Sequence, residues 1–137
     1  MLTMKIYITY CSGKKDDSLK GKGIEVTPDR LYLSKRRIQP FISACKSKGV
    51  NWAIFSDLYG IWFPEEKHAW YEKSPDEVSE TEFKDLLSDF DEKLSEYEEI
   101  CFYRPSPVMF HSLYKRLLKE SKMNERIKII SSFSQIE

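Results

Sequence analysis

Four short apolar runs alternate with three amphipathic helical segments, and that alternation restricts the fold more than any other feature of this chain. The runs are 4–10, 50–56, 100–103 and 126–130, rich in β-branched and aromatic residues. Near-continuous apolar character marks strands buried on both faces, as in parallel sheets. Between the first two, a helix is predicted over 34–48: Ser34 can cap it, and Ile38, Phe41, Ile42 and Cys45 recur at helical spacing. Pro40 predicts a second start within that span, and Lys46, Lys48 and Gly49 predict its end. Ser79-Glu80-Thr81-Glu82 is a capping box that opens a helix with Phe83, Leu86, Leu87, Phe90, Leu94 and Tyr97 on one face. Ser106-Pro107 predicts an N-cap and first position for a third helix, with Phe110, Leu113, Tyr114, Leu117 and Leu118 inward. Strands joined by helical crossovers give an α/β fold. The expectation is one three-layer domain over 1–137, with a mostly parallel sheet of about four strands and helices on both faces.

Two connections are unusual. Residues 11–30 are polar and glycine-containing, and long for a compact domain, which predicts a mobile or functional segment. Residues 64–78 form a loop whose Trp70 and Tyr71 suit pinning it to the core, or stacking on a base.

Composition excludes several classes. With 41% hydrophobic and 14% aromatic residues the chain is not a disordered one. No apolar run approaches the ~20 residues a membrane helix needs, so no membrane partner is expected. A secretory leader is not expected either, because the first apolar stretch is short and no small-residue cleavage site follows it. Cys11, Cys45 and Cys101 are odd in number and widely spaced, which suits a reducing cytoplasm and neither a disulfide framework nor a zinc site. The zero formal net charge hides segregation. Residues 1–50 hold 11 Lys and Arg against 4 Asp and Glu; residues 51–100 hold 4 against 15. The remaining residues are basic again, 7 against 3.

In an open α/β sheet, ligands bind in the crevice outside the carboxyl ends of the strands. Three loops leave strands at that edge. The first carries Cys11, Ser12, Gly13, Lys14 and Lys15; the second Ser56, Asp57, Tyr59 and Gly60; the third Arg104 and Ser106. Gly13 lets backbone approach a ligand, exposed N–H groups can face oxygens, and the lysines and Arg104 supply charge. This predicts an anion site, with Cys11, Ser12, Gly13, Lys14, Lys15, Gly60, Arg104 and Ser106 as binding residues. Ser56, Asp57 and Tyr59 are the candidates for contacting or activating a substrate. Neither G-x-x-x-x-G-K-[ST] nor G-x-G-x-x-G occurs, which weighs against a nucleoside triphosphate. Cys11 stands where a nucleophile could stand, and also where a buried strand ends. His68, in an aromatic and acidic loop, is a better functional candidate than His111, which reads as a helix-flank residue.

Cys11-Ser12-Gly13-Lys14-Lys15, Leu31-Tyr32-Leu33-Ser34, Ser56-Asp57-Leu58-Tyr59-Gly60-Ile61, Pro64-Glu65-Glu66 and Tyr71-Glu72 follow one another in an order that resembles a family of small α/β domains of unknown function. The resemblance covers roughly the first half of the chain. It implies an α/β sandwich and a pocket built from these segments, but no activity. Asp57 stands where the family pattern has alanine. Similarity of such folds to base-handling proteins of the uracil-DNA glycosylase type is an analogy of fold.

The leading expectation is a domain binding a phosphorylated small molecule, a nucleotide or nucleoside derivative, with hydrolase or transferase activity as the matching chemistry and no cofactor indicated. One alternative is a nucleic-acid-binding module that uses the basic N-terminal half with Lys115, Arg116 and Lys119. The other is an interaction domain whose acidic 76–99 segment meets a basic partner, such as a second copy of the chain.

Overall fold

A computed structural model describes residues 4–137. Its centre is a five-stranded sheet of β1 (Lys5–Tyr10), β3 (Asn51–Ser56), β4 (Gly60–Trp62), β6 (Glu99–Tyr103) and β7 (Ile127–Ile130), in the order β4-β3-β1-β6-β7. Four are the strands expected from the apolar runs, and they are parallel. The fifth, β4, is an antiparallel edge strand that folds back on β3, pairing Ser56 with Gly60. Gly60 takes φ 76° to make this return. The run Ile61-Trp62-Phe63 therefore extends the sheet to a fifth strand.

Alternating side chains divide the core. Tyr7, Cys11, Trp52, Ile54, Cys101 and Tyr103 pack with α2 (Ile38–Lys48). Ile6, Ile8, Ala53, Phe55, Ile100 and Phe102 pack with α3 (Glu80–Lys93) and α4 (Ser112–Glu120). Gly49, at φ 64°, closes α2 by donating to Cys45 and Lys46 carbonyls. The Ser79–Glu82 capping box opens α3 as expected. Pro40 lies in the first turn of α2, where it displaces no hydrogen bond, so that helix begins at Ile38 rather than Ser34.

A second expected helix start also differs. Ser106-Pro107 does not start α4; the helix begins at Ser112, capped by His111. The His111 ring nitrogen Nδ1 accepts from the Leu113 N–H at 3.0 Å, which leaves Nε2 to donate to Asp76 at 2.7 Å. Phe110 is buried against Tyr10 and Phe102, and this anchor holds 104–111 as a loop.

The long 11–30 connection is stitched down. Lys15 bridges Tyr32 in antiparallel fashion, Asp16 pairs with Arg30, and Leu19 is buried. A two-residue strand, β2 (Glu25–Val26), pairs with β5 (His68–Ala69), and a single helical turn, α1 (Pro28–Leu31), follows it. No helix among the described residues is long and apolar enough to cross a membrane. Cys11, Cys45 and Cys101 are all buried and free.

Candidate functional site

Because β3 and β6 flank β1 on opposite sides, the strand order reverses at β1, and the carboxyl ends of β1 and β6 border the switch-point crevice. Arg37 occupies it. Its guanidinium donates to Thr9 Oγ1 at 2.9 Å, to the Tyr10 carbonyl at 2.5 Å and to the Cys11 carbonyl at 3.0 Å, and lies 3.7 Å above the Tyr10 ring. Arg37 makes none of the ion pairs found among the described residues, so its positive charge is uncompensated there.

Beside it the first strand-end loop and the segment entering α2 form a pocket of about 360 Å³, lined by Lys14, Leu33, Ser34, Lys35 and Arg36. The two segments are sewn together: the Leu33 N–H donates to the Lys14 carbonyl and the Asp16 N–H to the Leu31 carbonyl, both at 2.9 Å. Ser12 Oγ accepts from the Lys14 N–H at 3.2 Å, which fixes the turn. Lys14, Lys35 and Arg36 are exposed, form no ion pair among the described residues, and share a lining with no carboxylate. Three like charges held together without counter-charge make a strongly positive surface, and the adjoining N-terminus of α2 adds its partial positive charge.

The second loop leads elsewhere. Asp57, Leu58 and Tyr59 line a groove of about 340 Å³ with Glu82, Asp85, Leu86 and Asp89. That groove is acidic, so the lysine-bearing and aspartate-bearing loops do not share a pocket. Gly13 has open space around it, and Lys15 lies over the Tyr71 ring at 4.4 Å. Arg104 lies over Phe110, with its Nε buried and unbonded; neither it nor Ser106 lines either pocket.

Beneath the two loops lies a buried polar cluster. The Tyr114 hydroxyl donates to Asp57 Oδ1 at 2.8 Å and lies 3.7 Å from the Cys11 sulfur. Tyr32 and Tyr71 hydroxyls meet at 2.5 Å. Ser56 Oγ is buried and accepts from the N–H groups of Leu58 and Tyr59. Burial pushes the Cys11 thiol up to about 12, with the Asp57 charge adding to the effect. It also raises the Asp57 carboxyl above the ordinary aspartate range, against the lowering influence of the Tyr114 hydrogen bond. Cys11 is thus held as a neutral thiol, the opposite of an activated nucleophile. His68 stacks on Tyr59 with ring centroids 4.0 Å apart, and burial lowers its pKa, so it serves the aromatic packing of the loop. Tyr59 donates to the Ala69 carbonyl and Trp62 to the Glu66 carbonyl, completing that packing.

No protein-family model, curated protein or solved structure matches this chain.

Among the described residues no group of His, Cys, Asp and Glu is arranged to hold a metal ion. The residues that sequence reasoning missed are Lys35, Arg36 and Arg37. Their signal is three consecutive cations immediately before α2, a pattern that contributes to the basic character of residues 1–50 without itself marking a pocket. Tyr114 was expected to face inward as core; its hydroxyl and the Asp57 carboxyl make a polar contact that periodicity alone does not reveal.

Proposed function

We propose that this chain is a cytoplasmic, Rossmann-like domain of three layers that binds a phosphate-bearing small molecule, a nucleotide or nucleoside derivative, at the carboxyl edge of its sheet. One observation carries the reading: a preformed pocket of about 360 Å³ lined by Lys14, Lys35 and Arg36, with no carboxylate in its lining. Arg37, at the adjoining switch point, adds a fourth cation without an ion-pair partner among the described residues. Cationic side chains and a helix N-terminus together favour dianionic oxygens. Exposed Leu33 gives the pocket an apolar wall suited to a nucleoside or another organic moiety.

Relative to the expectation from sequence, the anion stays with Lys14 but passes from Lys15 and Arg104, which lie over Tyr71 and Phe110, to Lys35 and Arg36. Binding, rather than hydrolysis or transfer, is the activity supported. Ser56 Oγ already serves two backbone donors, Cys11 is a buried thiol, and Asp57 is 3% exposed and bonded to Tyr114.

Calorimetry with inorganic pyrophosphate, nucleoside phosphates and a sugar phosphate tests the proposal. Saturable binding that Arg36→Ala weakens about tenfold or more supports it. Absence of binding to every probe overturns it. Preference for oligonucleotides, with affinity falling steeply as salt rises, would replace it with the nucleic-acid reading.

A further inference from the structure

The carboxyl edge of the sheet carries three unlike patches. On the α2 face lies the basic pocket of Lys14, Lys35 and Arg36. On the α3 face lies the groove lined by Asp57, Glu82, Asp85 and Asp89, with no lysine or arginine in its lining. Lys73 and Lys93 offset Glu82 and Asp89, whereas Asp85 makes no ion pair among the described residues. The third patch is apolar. Val108 and Met109, 86% and 79% exposed, form the tip of the loop after β6. Prolines 105 and 107 restrict its backbone, and buried Phe110 anchors it against Tyr10 at 5.2 Å. Two adjacent apolar side chains held in water on an anchored loop are a pre-organised contact.

We infer that this edge is a self-association surface. Two copies face each other about a two-fold axis that runs across the sheet from strand to strand. Such a rotation keeps the strand order and exchanges the two faces of the sheet. The basic side of each copy's edge then faces the acidic side of the other's, and the exposed Val108–Met109 tips are drawn into the contact. Charge complementarity selects the occupant. A purely anionic partner suits the pocket but is repelled by the groove, and a purely cationic one has the reverse problem. A partner matching all three patches carries both signs and an apolar tip, and this chain has that surface itself. Its zero formal net charge also removes long-range repulsion between copies.

The inference goes beyond ligand binding and sets a competition, because phosphate in the pocket displaces the partner's carboxylates. Sedimentation velocity from micromolar to about millimolar protein, in low and high salt, is the test. The expected result is a dimer at low salt that weakens at high salt and dissociates with saturating inorganic pyrophosphate. Asp85→Lys should weaken it about tenfold or more, and adding Arg36→Glu should restore most of that loss. Val108→Glu with Met109→Glu should leave a monomer. A monomer at every concentration in low salt overturns the inference, as does a dimer indifferent to Asp85→Lys and to the tip variant. The two readings fail separately: the Asp85→Lys monomer retains pyrophosphate binding if the ligand reading holds, a salt-sensitive dimer whose monomeric variant binds no pyrophosphate counts against the ligand reading alone, and a dimer that persists with pyrophosphate bound counts against the self-association surface.

Discussion

Replacing Tyr114 with phenylalanine removes one oxygen from the buried cluster and tests whether Asp57 depends on it. Tyr114 and Asp57 are each 3% exposed, and their 2.8 Å hydrogen bond is the only one to the Asp57 carboxyl among the described residues that meets strict geometry. Deleting the hydroxyl leaves a buried acceptor without that donor, which costs about 2 kcal/mol, within the usual range for such deletions. At an unfolding entropy typical of a chain this size, the melting temperature falls by roughly 7 °C. The pH dependence follows from the raised Asp57 carboxyl. A folded state that holds its proton to higher pH than the unfolded chain loses stability as pH rises through that interval. The Tyr114 hydroxyl favours the ionised form, so Tyr114→Phe raises the carboxyl further and extends the loss to higher pH. The stability gap between variant and wild type is therefore smallest in acid, where Asp57 is protonated in both, and grows toward neutral pH. Urea unfolding from about pH 4 to pH 8 measures it through the midpoint at constant slope. A gap below about 0.5 kcal/mol, or one that does not change with pH, would refute the reasoning.

Two further stability contrasts follow from the same edge of the sheet. Gly60 has φ 76°, and a β-carbon there would overlap the Asp89 carboxylate, which accepts the Ile61 N–H at 2.8 Å; Gly60→Ala should cost about 2 kcal/mol or more. Gly13→Ala, with open space around it, should stay within about 0.5 kcal/mol, and equal losses in paired thermal melts would contradict the distinction. Arg37→Lys cannot reproduce the forked contacts to Thr9, Tyr10 and Cys11, and should cost about 1–3 kcal/mol by urea titration. An unchanged unfolding midpoint would remove Arg37 from its place at the end of β1.

Much of the fold is legible in the residues because local signals agree with the global arrangement. The Ser79–Glu82 capping box and the left-handed Gly49 work with apolar stripes that the sheet then buries. Ser106-Pro107 misleads because the cap chemistry is present but Phe110, four residues after Ser106, has its own buried position next to Tyr10. The β4 strand is hard to read because three residues after a glycine turn give no period, and pairing with β3 is a tertiary choice. Strand order has the same origin: Ile6 pairs with both Asn51 and Ile100, a placement no local pattern encodes. At the site, parallel strands bring the strand-end loops to one edge of the sheet, but two loops at one edge need not share a pocket. Lys14 joins the segment entering α2 on one face, while Asp57 and Tyr59 meet α3 on the other.

The claim that matters most is that Lys14, Lys35 and Arg36 form an anion site, and amide chemical-shift mapping tests it most directly. Titrating ¹⁵N-labelled protein with inorganic pyrophosphate should give saturable shifts centred on Lys14 and residues 33–38, with Arg36→Ala moving their midpoint to about tenfold higher pyrophosphate or beyond. Shifts confined to Asp57–Tyr59 and the first turns of α3, or no saturable shift at all, would contradict it.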